Sequence, residues 1–281
     1  MLILESKKDL QEHVFQLKAK GKTIGFVPTM GALHKGHLSL IEASNKACDI
    51  TVSSIFVNPT QFNEQEDYDK YPRTFDVDIK MLEEAECDIV FVPTRQEMYP
   101  EPDVREFDFG VLGDIMEGAH RPGHFNGVAQ IVSKLFDAVP CDKAFFGQKD
   151  FQQYVIIKDM IKQLNYKVEA VQCPIIREES GLAMSSRNQR LSTKEKDIAS
   201  NIYKILCWAK EHYLDYSVAE LKKRVEEQFK AVGALDLEYF EIVNDNSLQI
   251  VKNWNTQGKI VACVAVFCRN VRLIDNIVFN L

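Results

Sequence analysis

The chain lacks the features typical of membrane, secreted and nucleic-acid-binding proteins. Its longest unbroken apolar run, Ile260 to Cys268, has nine residues, whereas a membrane-spanning helix needs about 20. The start of the chain, MLILESKKDLQEH, meets a charge at Glu5 and contains no apolar signal region with a cleavage site. With 34 Lys and Arg against 41 Asp and Glu, the net charge is −7, and nucleic-acid binders usually carry a basic face. We therefore expect a cytoplasmic protein with neither a membrane nor a nucleic-acid partner.

Cysteine pairs and metal-ligand motifs are missing as well. The seven cysteines are scattered over 281 residues without a CxxC pair, so we interpret them as reduced, mostly buried apolar residues. The pairs His34/His37 and His120/His124 have helical spacing, but neither pair has a nearby cysteine or the HExxH arrangement of zinc enzymes. We expect no metal bound by protein ligands.

Strand-like and helix-like segments alternate through the first 175 or so residues. The strand-like runs are TIGFVP, ITVSSIFV, DIVFVP, KAFFG and KVEAVQCP, and the segments between them have apolar residues at helical spacing. This alternation predicts an α/β fold with a doubly wound, Rossmann-like parallel sheet and right-handed crossovers. Ligands bind at the carboxyl ends of the strands in such folds. We expect each polar motif below to follow a strand end and to share one pocket.

The pattern changes after about Arg177. Two amphipathic helices, near 194–212 and 218–232, precede the strand-like segments LDLEYFEIV, KIVACVAVF and VRLIDNIVF. We predict two domains: a Rossmann-like domain over residues 1–176 and a smaller α+β domain with antiparallel strands over residues 177–281.

The first polar motif, PTMGALHKGH at residues 28–37, joins a predicted strand to a predicted helix. Gly31 and Gly36 allow close approach of the backbone, and the N–H groups and dipole of the helix favour a phosphate. His34 and His37 lie three residues apart and can donate to phosphate oxygens from one side. The motif is neither a GxGxxG fingerprint nor a Walker A loop. A plain strand-to-helix turn with two surface histidines is the alternative.

Two further motifs offer cations and hydroxyls for phosphate. In GQKDFQQ (147–153), Lys149 fits a phosphate, and Asp150 either accepts from a ribose hydroxyl or caps the next helix. In GLAMSSRN (181–188), two serines precede the guanidinium of Arg187. A capped helix start and a loop between domains are the respective alternatives.

Two motifs offer groups for a polar substrate. In FVNPTQF, Asn58 and Gln61 follow a buried strand and fit hydroxyls or a carboxylate. In EGAHRPGHFNGV, Arg121 with His120 and His124 can close over an anion, and a plain loop is the alternative. Together the histidine pair, the loop with Lys149 and the later loop with Ser185, Ser186 and Arg187 describe a site for ATP. The sequence has no GxSxG and no cysteine beside a histidine, which favours direct attack at phosphorus with the protein supplying position and electrostatics.

The chain resembles the pantoate–β-alanine ligase family, AMP-forming enzymes of the HxGH nucleotidyltransferase type. The resemblance is carried, in order, by FVPTMGALHKGHLSL, FVNPTQF, EDYDKYPR, EGAHRPGHFNGV, FGQKDFQQ and GLAMSSRN. It implies that the carboxylate of (R)-pantoate attacks the α-phosphorus of ATP to give pantoyl adenylate and pyrophosphate. The amine of β-alanine then attacks the acyl carbon to give pantothenate and AMP. It further implies Mg²⁺ with the ATP and a cytoplasmic homodimer.

The resemblance also implies roles for individual residues. Gln61 and Gln153 hold pantoate, with Gln61 also near β-alanine, and Asn58 and Arg121 remain candidates from their chemistry. His37 is the acid, and His34, Lys149 and Arg187 act with it on the phosphates. The residues assigned to ATP are Met30, Gly31, Ala32, Leu33, His34, Lys35, Gly36, His37, Gly147, Gln148, Lys149, Asp150, Ile176 (through its backbone), Met184, Ser185, Ser186 and Arg187.

The chain departs from the family pattern at two residues that neighbour predicted site residues. Thr60 stands where Leu is common and Gln148 where Glu is frequent, which affects the tuning of affinity.

Two other functions are alternatives to the ligase. A different adenylyl or nucleotidyl transferase, such as a tRNA-charging synthetase fragment, needs a basic surface that a chain of net charge −7 does not offer. A non-catalytic nucleotide-binding module would have lost polar residues that are present here.

Overall fold

The computed structural model describes residues 1–62, 65–255 and 258–279 and divides the chain into two compact units. The first unit comprises Met1–Gly147 and Gln153–Pro174, and the second comprises Gln148–Gln152 and the chain from Ile175 onward. Across the described ranges, no helix combines the length and the apolar character needed to cross a bilayer. The predicted domains, over residues 1–176 and 177–281, stay predictions.

The first unit is built on a six-stranded parallel sheet. Its strands are β1 (Leu2–Leu4), β2 (Ile24–Thr29), β3 (Ile50–Ile55), β4 (Ile89–Phe91), β5 (Lys143–Gly147) and β6 (Glu169–Cys173), in the spatial order β1-β4-β3-β2-β5-β6. The chain moves outward from β2 to β3 and β4, and then returns to place β5 on the other side of β2. This reversal confirms the doubly wound fold and puts the switch point, where such folds bind ligands, at the carboxyl end of β2.

Helices cover both faces of this sheet. In chain order they are α1 (Lys7–Ala19), α2 (Lys35–Ala47), α3 (Gln65–Asp69), α4 (Phe75–Glu84), α5 (Arg95–Met98), α6 (Val111–Asp114), α7 (Glu117–His120), α8 (His124–Ala138) and α9 (Phe151–Gln163). Alternate strand residues enter two apolar clusters, one with α1, α8 and α9 and the other with α2 and α4. In β2, for example, Phe26 faces the first cluster and Val27 the second. Burial on both faces explains why these strands have continuous apolar sequences.

The polar motifs follow strand ends in part only. The loop Met30–His34 follows β2, and Asn58 with a 3-10 turn (Pro59–Gln61) follows β3. The expectation is wrong for Arg121, which lies between the short helix α7 and α8, far along the chain from the end of β4. Arg121 is the C-cap residue of α7 and lies three residues before the start of α8 at His124, so helices and not a strand flank it.

The second unit contains a three-stranded antiparallel sheet and helices on it. Its strands β7 (Leu235–Asn244), β8 (Ile260–Cys268) and β9 (Val271–Phe279) lie in that order. The helices are α10 (Thr193–Ala199), α11 (Asn201–His212) and α12 (Val218–Val232), and 3-10 turns span Gln148–Asp150, Ser186–Arg190 and Tyr213–Asp215. The apolar residues of α12, spaced by three and four, and alternate residues of the strands form one core. The predicted helix over 194–212 is thus two helices, which meet at Ser200.

Candidate active site

Two histidines cap the helix that follows β2. His34 is the N-cap of α2, and its Nδ1 accepts the N–H of Gly36 at 3.1 Å. Three residues later, the Nδ1 of His37 accepts the N–H of His34 at 3.3 Å, which completes a reciprocal capping box. The two rings lie with their centroids 4.0 Å apart. The spacing of three residues therefore brings both imidazoles to the start of one helix, as an HxGH motif requires.

The capping box decides which ring nitrogen carries the proton. A backbone N–H that points at Nδ1 requires a lone pair there, so each neutral ring carries its proton on Nε2. The sequence predicts that the N–H groups at the helix start favour a phosphate, but the histidine side chains accept two of these groups, at His34 and Gly36. The imidazole Nε2–H groups and the dipole of α2 are therefore among the features of this loop that favour an anion.

A buried carboxylate holds the loop between β2 and α2 in place. Asp78 of α4 is 1% exposed, and its two oxygens accept the N–H groups of Ala32 at 2.9 Å and Leu33 at 2.8 Å. Ala32 has a φ of 50°, a conformation that costs a non-glycine residue about 1–2 kcal/mol. At Gly31 (φ 76°) a Cβ would lie 2.9 Å from the Asp78 carboxylate. The carboxylate thus stabilises a turn that the local sequence alone does not favour.

We predict that Asp78→Asn lowers the free energy of unfolding by about 1–3 kcal/mol, because the amide has one acceptor where two N–H groups need one each. Urea denaturation measures this loss. Asp76→Asn is the matched control, since Asp76 is exposed and lies in the same first turn of α4. Equal losses in the two variants would mean that Asp78 stabilises the protein through the dipole of α4 and not through its bonds to the loop.

The substrate candidate Asn58 lies inside the protein and bonds to the residues around it. It is 1% exposed, and its Nδ2 donates to the carbonyl of Gly127 at 3.2 Å and to Gln61 Oε1 at 3.3 Å. Its Oδ1 accepts the hydroxyl of Tyr99 at 2.7 Å. Gln61 in turn donates from Nε2 to the sulfur of Met30 at 3.0 Å. The structure therefore brings the β2 and β3 loops together, with Asn58 behind Gln61.

Arg121 and His124 contact the backbone of the same glutamine. The Nδ1 of His124 is 2.9 Å from the carbonyl oxygen of Gln61, and its Nε2 is 3.0 Å from Arg121 Nη1. Because a carbonyl only accepts and a guanidinium only donates, the His124 ring is neutral with its proton on Nδ1. Arg121 also lies 3.6 Å from Glu117. The predicted closure of Arg121 over an anion stays a prediction, since in this structure the side chain supports Gln61.

The lysine loop, Gln148–Asp150, belongs to the second unit, where strand β9 holds it. Asn276 of β9 donates from Nδ2 to the carbonyls of Gln148 at 2.9 Å and Lys149 at 3.1 Å. Gln148 Nε2 returns a bond to Asn276 Oδ1 at 3.2 Å. Lys149 lies 3.1 Å from the carboxylate of Asp150, its neighbour. Asn276 is 2% exposed, so this anchor is part of the core of the unit.

Asp275, the residue before Asn276 in β9, holds the segment that leads to the loop with Ser185, Ser186 and Arg187. Asp275 forms a two-fold ion pair with Arg177, at 2.6 and 2.9 Å, and burial raises the pKa of its carboxyl despite that pair. Beyond Arg177 the chain makes a tight turn, in which the N–H of Met184 donates to the carbonyl of Ile176 at 3.0 Å. Ser185 then caps the following 3-10 turn. Ile176 and Met184, both assigned to ATP by the resemblance, are therefore neighbours.

The predicted residues fall into two sets, one in each unit. The first unit holds the β2 loop, Asn58, Gln61, Arg121, Gly147 at the end of β5, and Gln153 in the first turn of α9. The second holds residues 148–150, Ile176 and 184–187. Within the described ranges no group of three His, Cys, Asp or Glu residues is placed to hold a metal ion.

Asp78, Tyr99 and Asn276 are supporting residues that sequence reasoning missed. One signal was available for Asp78, which lies four residues before Leu82 and so on the buried face of an amphipathic helix. Tyr99 and Asn276 sit in segments whose sequence carries no comparable sign of a polar partner.

A doubly wound sheet with a histidine-capped loop at its switch point defines a nucleotide-binding α/β enzyme. The family model described as pantoate-beta-alanine ligase matches residues 2–278. The chain belongs to the pantoate-beta-alanine ligase family.

Named relatives and solved structures agree with this family. The chain is 53% identical over 280 residues to a pantothenate synthetase of Bacteroides thetaiotaomicron, covering 100% of this chain and 99% of the relative. It is 52% identical to that of Porphyromonas gingivalis, with 100% of both chains covered. The crystal structure of pantothenate synthetase from Thermus thermophilus matches with a TM-score of 0.92 at 39% identity, covering 99% of each chain. The ligase from Francisella tularensis, complexed with beta-gamma ATP and beta-alanine, matches with a TM-score of 0.80 at 33% identity, covering 99% of this chain and 97% of that one.

Proposed function

We propose that this chain condenses (R)-pantoate with β-alanine at the expense of ATP, with pantoyl adenylate as the intermediate and pantothenate, AMP and pyrophosphate as products. The observation that carries the proposal is the match of the family model over residues 2–278, combined with the two imidazoles that cap α2. From the resemblance to the family we also propose that the protein is cytoplasmic and forms a homodimer.

In the first half-reaction, a carboxylate oxygen of pantoate forms a bond to the α-phosphorus of ATP. The bond from that phosphorus to the β-phosphate oxygen breaks, and pyrophosphate leaves. The Nε2–H groups of His34 and His37 donate to the phosphate oxygens on which charge develops, with His37 as the acid. The resemblance to the family assigns Lys149 and Arg187 to phosphate oxygens of ATP, where their positive charge stabilises negative charge. Gln61 and Gln153 hold the pantoate.

In the second half-reaction, the neutral amine of β-alanine attacks the acyl carbon of the adenylate. The bond from that carbon to the bridging oxygen breaks, AMP leaves with that oxygen, and the amine loses its proton. Activation is needed because a carboxylate oxygen is a poor leaving group, whereas AMP is a good one. The anhydride is also open to water, so the site has to exclude solvent until the amine arrives.

We further propose that Mg²⁺ enters as the ATP complex, as part of the substrate. The imidazoles of His34 and His37 cap the helix that follows the β2 loop, whereas Mg²⁺ prefers oxygen ligands and often keeps those of substrate phosphates. The carboxylate that contacts the β2 loop, Asp78, already accepts two backbone N–H groups. The phosphates are therefore the natural ligands of the ion.

The proposed function is tested by pyrophosphate release from ATP and (R)-pantoate, first without and then with β-alanine. Without β-alanine we expect a burst of one pyrophosphate per enzyme molecule. When β-alanine is added, pyrophosphate release and AMP production should become continuous. Pantoate labelled with ¹⁸O in its carboxylate should transfer one labelled oxygen to AMP, because that oxygen bridges the adenylate. Folded protein with Mg²⁺ that releases no pyrophosphate in either condition would overturn the proposal.

A further inference from the structure

A directed chain of hydrogen bonds runs through the first unit and ends at Gln61. The hydroxyl of Tyr99 lies 2.7 Å from Asn58 Oδ1, and Asn58 Nδ2 lies 3.3 Å from Gln61 Oε1. The far end of the chain, Gln61 Nε2, lies 3.0 Å from the sulfur of Met30. Tyr99 is outside every motif of the sequence analysis, and Asn58 is too deeply buried to meet a substrate with much of its surface.

One backbone carbonyl sets the direction of this chain. The Nδ2 of Asn58 is 3.2 Å from the carbonyl oxygen of Gly127, and a carbonyl can only accept. The amide nitrogen must therefore face Gly127, which turns Oδ1 of Asn58 toward Tyr99 and makes the Tyr99 hydroxyl the donor. The same nitrogen also faces Thr60 Oγ1 at 3.1 Å and Gln61 at 3.3 Å, so the end of the glutamine that meets it is the oxygen.

The close approach of α8 that brings this carbonyl into range depends on a glycine. A Cβ at Gly127 would lie 2.4 Å from the carbonyl oxygen of Thr60 and 3.0 Å from the Cα of Gln61. Because the helix carries no side chain there, its backbone packs directly on the 3-10 turn Pro59–Gln61. The turn and the helix are in direct backbone contact, and the amide of Asn58 bonds to both of them.

We propose that Tyr99 is a positioning residue that determines which end of the Gln61 amide faces the substrate, an inference that rests on the proposed function. Tyr99 holds Oδ1 of Asn58, Asn58 holds Oε1 of Gln61, and Gln61 presents its Nε2–H₂ donors. Two N–H donors fit the oxygen acceptors of a carboxylate or a hydroxyl. They do not fit a group that only donates, such as an ammonium, so this orientation selects the hydroxy acid at Gln61.

The geometry around Tyr99 allows a clean removal of its hydroxyl. The ring is held by Phe56, with centroids 6.4 Å apart, and by the ammonium of Lys134, 5.1 Å from the ring centroid. Tyr99→Phe keeps both contacts and removes the hydroxyl that donates to Asn58. Tyr166→Phe is the matched control, because Tyr166 is also partly buried and its hydroxyl bonds to Ser133 and Asp137, away from Gln61.

The first experiment measures steady-state pyrophosphate release with pantoate and ATP varied in turn. We expect Tyr99→Phe to raise KM for pantoate roughly tenfold, the scale of one hydrogen bond lost at a buried amide, and to leave KM for ATP unchanged. Tyr166→Phe should behave as the wild type. An unchanged KM for pantoate in Tyr99→Phe, or equal rises for both substrates, would overturn the role of Tyr99.

The second experiment asks whether Tyr99 acts through Asn58. In an Asn58→Ala background, adding Tyr99→Phe should change KM for pantoate no further, whereas a purely structural role of Tyr99 would still add its own effect. The same cycle is measured by thermal unfolding, which needs no substrate. If the wild type turns over no pantoate, the proposed function fails, and coupling in unfolding still supports the hydrogen-bond chain. Absence of coupling in unfolding overturns the chain itself.

Discussion

The substitution His37→Ala is expected to slow pantoate-dependent pyrophosphate release by about 10²–10⁴-fold, the usual contribution of a positioned acid. ATP affinity should change little, because the group acts on charge that develops only in the transition state. Single-turnover rates at saturating pantoate, with ATP binding measured separately, give the two numbers. A loss of ATP affinity that matches the loss of rate would identify His37 as a uniform binding residue instead.

The variant His37→Gln separates the chemistry of His37 from its capping bond. Glutamine at the third helical position can accept the N–H of the N-cap residue, as the Nδ1 of His37 does here. We expect His37→Gln to keep the stability of the wild type, whereas His37→Ala loses about 1 kcal/mol of it with the cap. Both variants should be equally slow. A glutamine variant that recovers the rate would show that capping, and not the imidazole, is what the reaction needs.

The second large effect is expected at the ion pair beneath the loops of the second unit. Arg177→Met should lower the free energy of unfolding by about 3–5 kcal/mol, because Asp275 then stays buried without a cation. The side chain of Asp275 is 3% exposed, and the guanidinium of Arg177 also lies over the ring of Tyr203 at 3.7 Å. Chemical denaturation of the wild type and the variant measures the difference.

The pH dependence of this loss follows from the pKa of Asp275. Burial raises that pKa in the folded protein, and removing Arg177 raises it further. Between the unfolded value, near 3.9, and the raised folded value, the folded protein binds more protons than the unfolded chain. Stability therefore falls as pH rises through this window. The deficit of Arg177→Met relative to the wild type should be smallest near pH 4 and grow toward neutral pH.

A double variant tests the cause of the pH dependence. Arg177→Met/Asp275→Asn has no charge to bury, and the new amide oxygen can still accept the N–H of Asn276, as Asp275 does at 2.8 Å. We expect it to recover most of the stability and to lose the dependence on pH. A deficit of the single variant that is equal at pH 4 and pH 8 would contradict the proposed charge effect and point to lost packing.

The fold could be predicted from the sequence because most of its strands have a clear sequence pattern. Strands β2 to β6 are apolar runs bounded by turns, and the segments between them have helical spacing, so a parallel sheet was the consistent solution. Strand β1 and helix α1 were not predicted. Leu2–Leu4 is three residues long and largely exposed, and a short edge strand has neither the length nor the burial that produces a pattern.

The site could be predicted only as far as its motifs reach along the chain. The HxGH spacing predicts two imidazoles at one helix start, and the structure places them there. Residues that support a motif from elsewhere follow no spacing rule, because Asp78, Tyr99 and Asn276 meet their partners only through the tertiary fold. The involvement of two histidine rings in capping was likewise hidden, since Ser, Thr, Asp and Asn are the ordinary N-caps.

The anchoring of Gln148 and Lys149 by Asn276 has a consequence for the order of events on the ribosome. The strands of the parallel sheet are all translated before residue 175, and domains generally fold as units from the N-terminus during synthesis. Asn276 is made about 100 residues after Cys173, where the last strand of that sheet ends. Gln148 and Lys149 are therefore without this anchor until about 125 further residues, up to Asn276, have been translated. A nascent or truncated chain that lacks β9 is expected to fold its sheet and still be inactive.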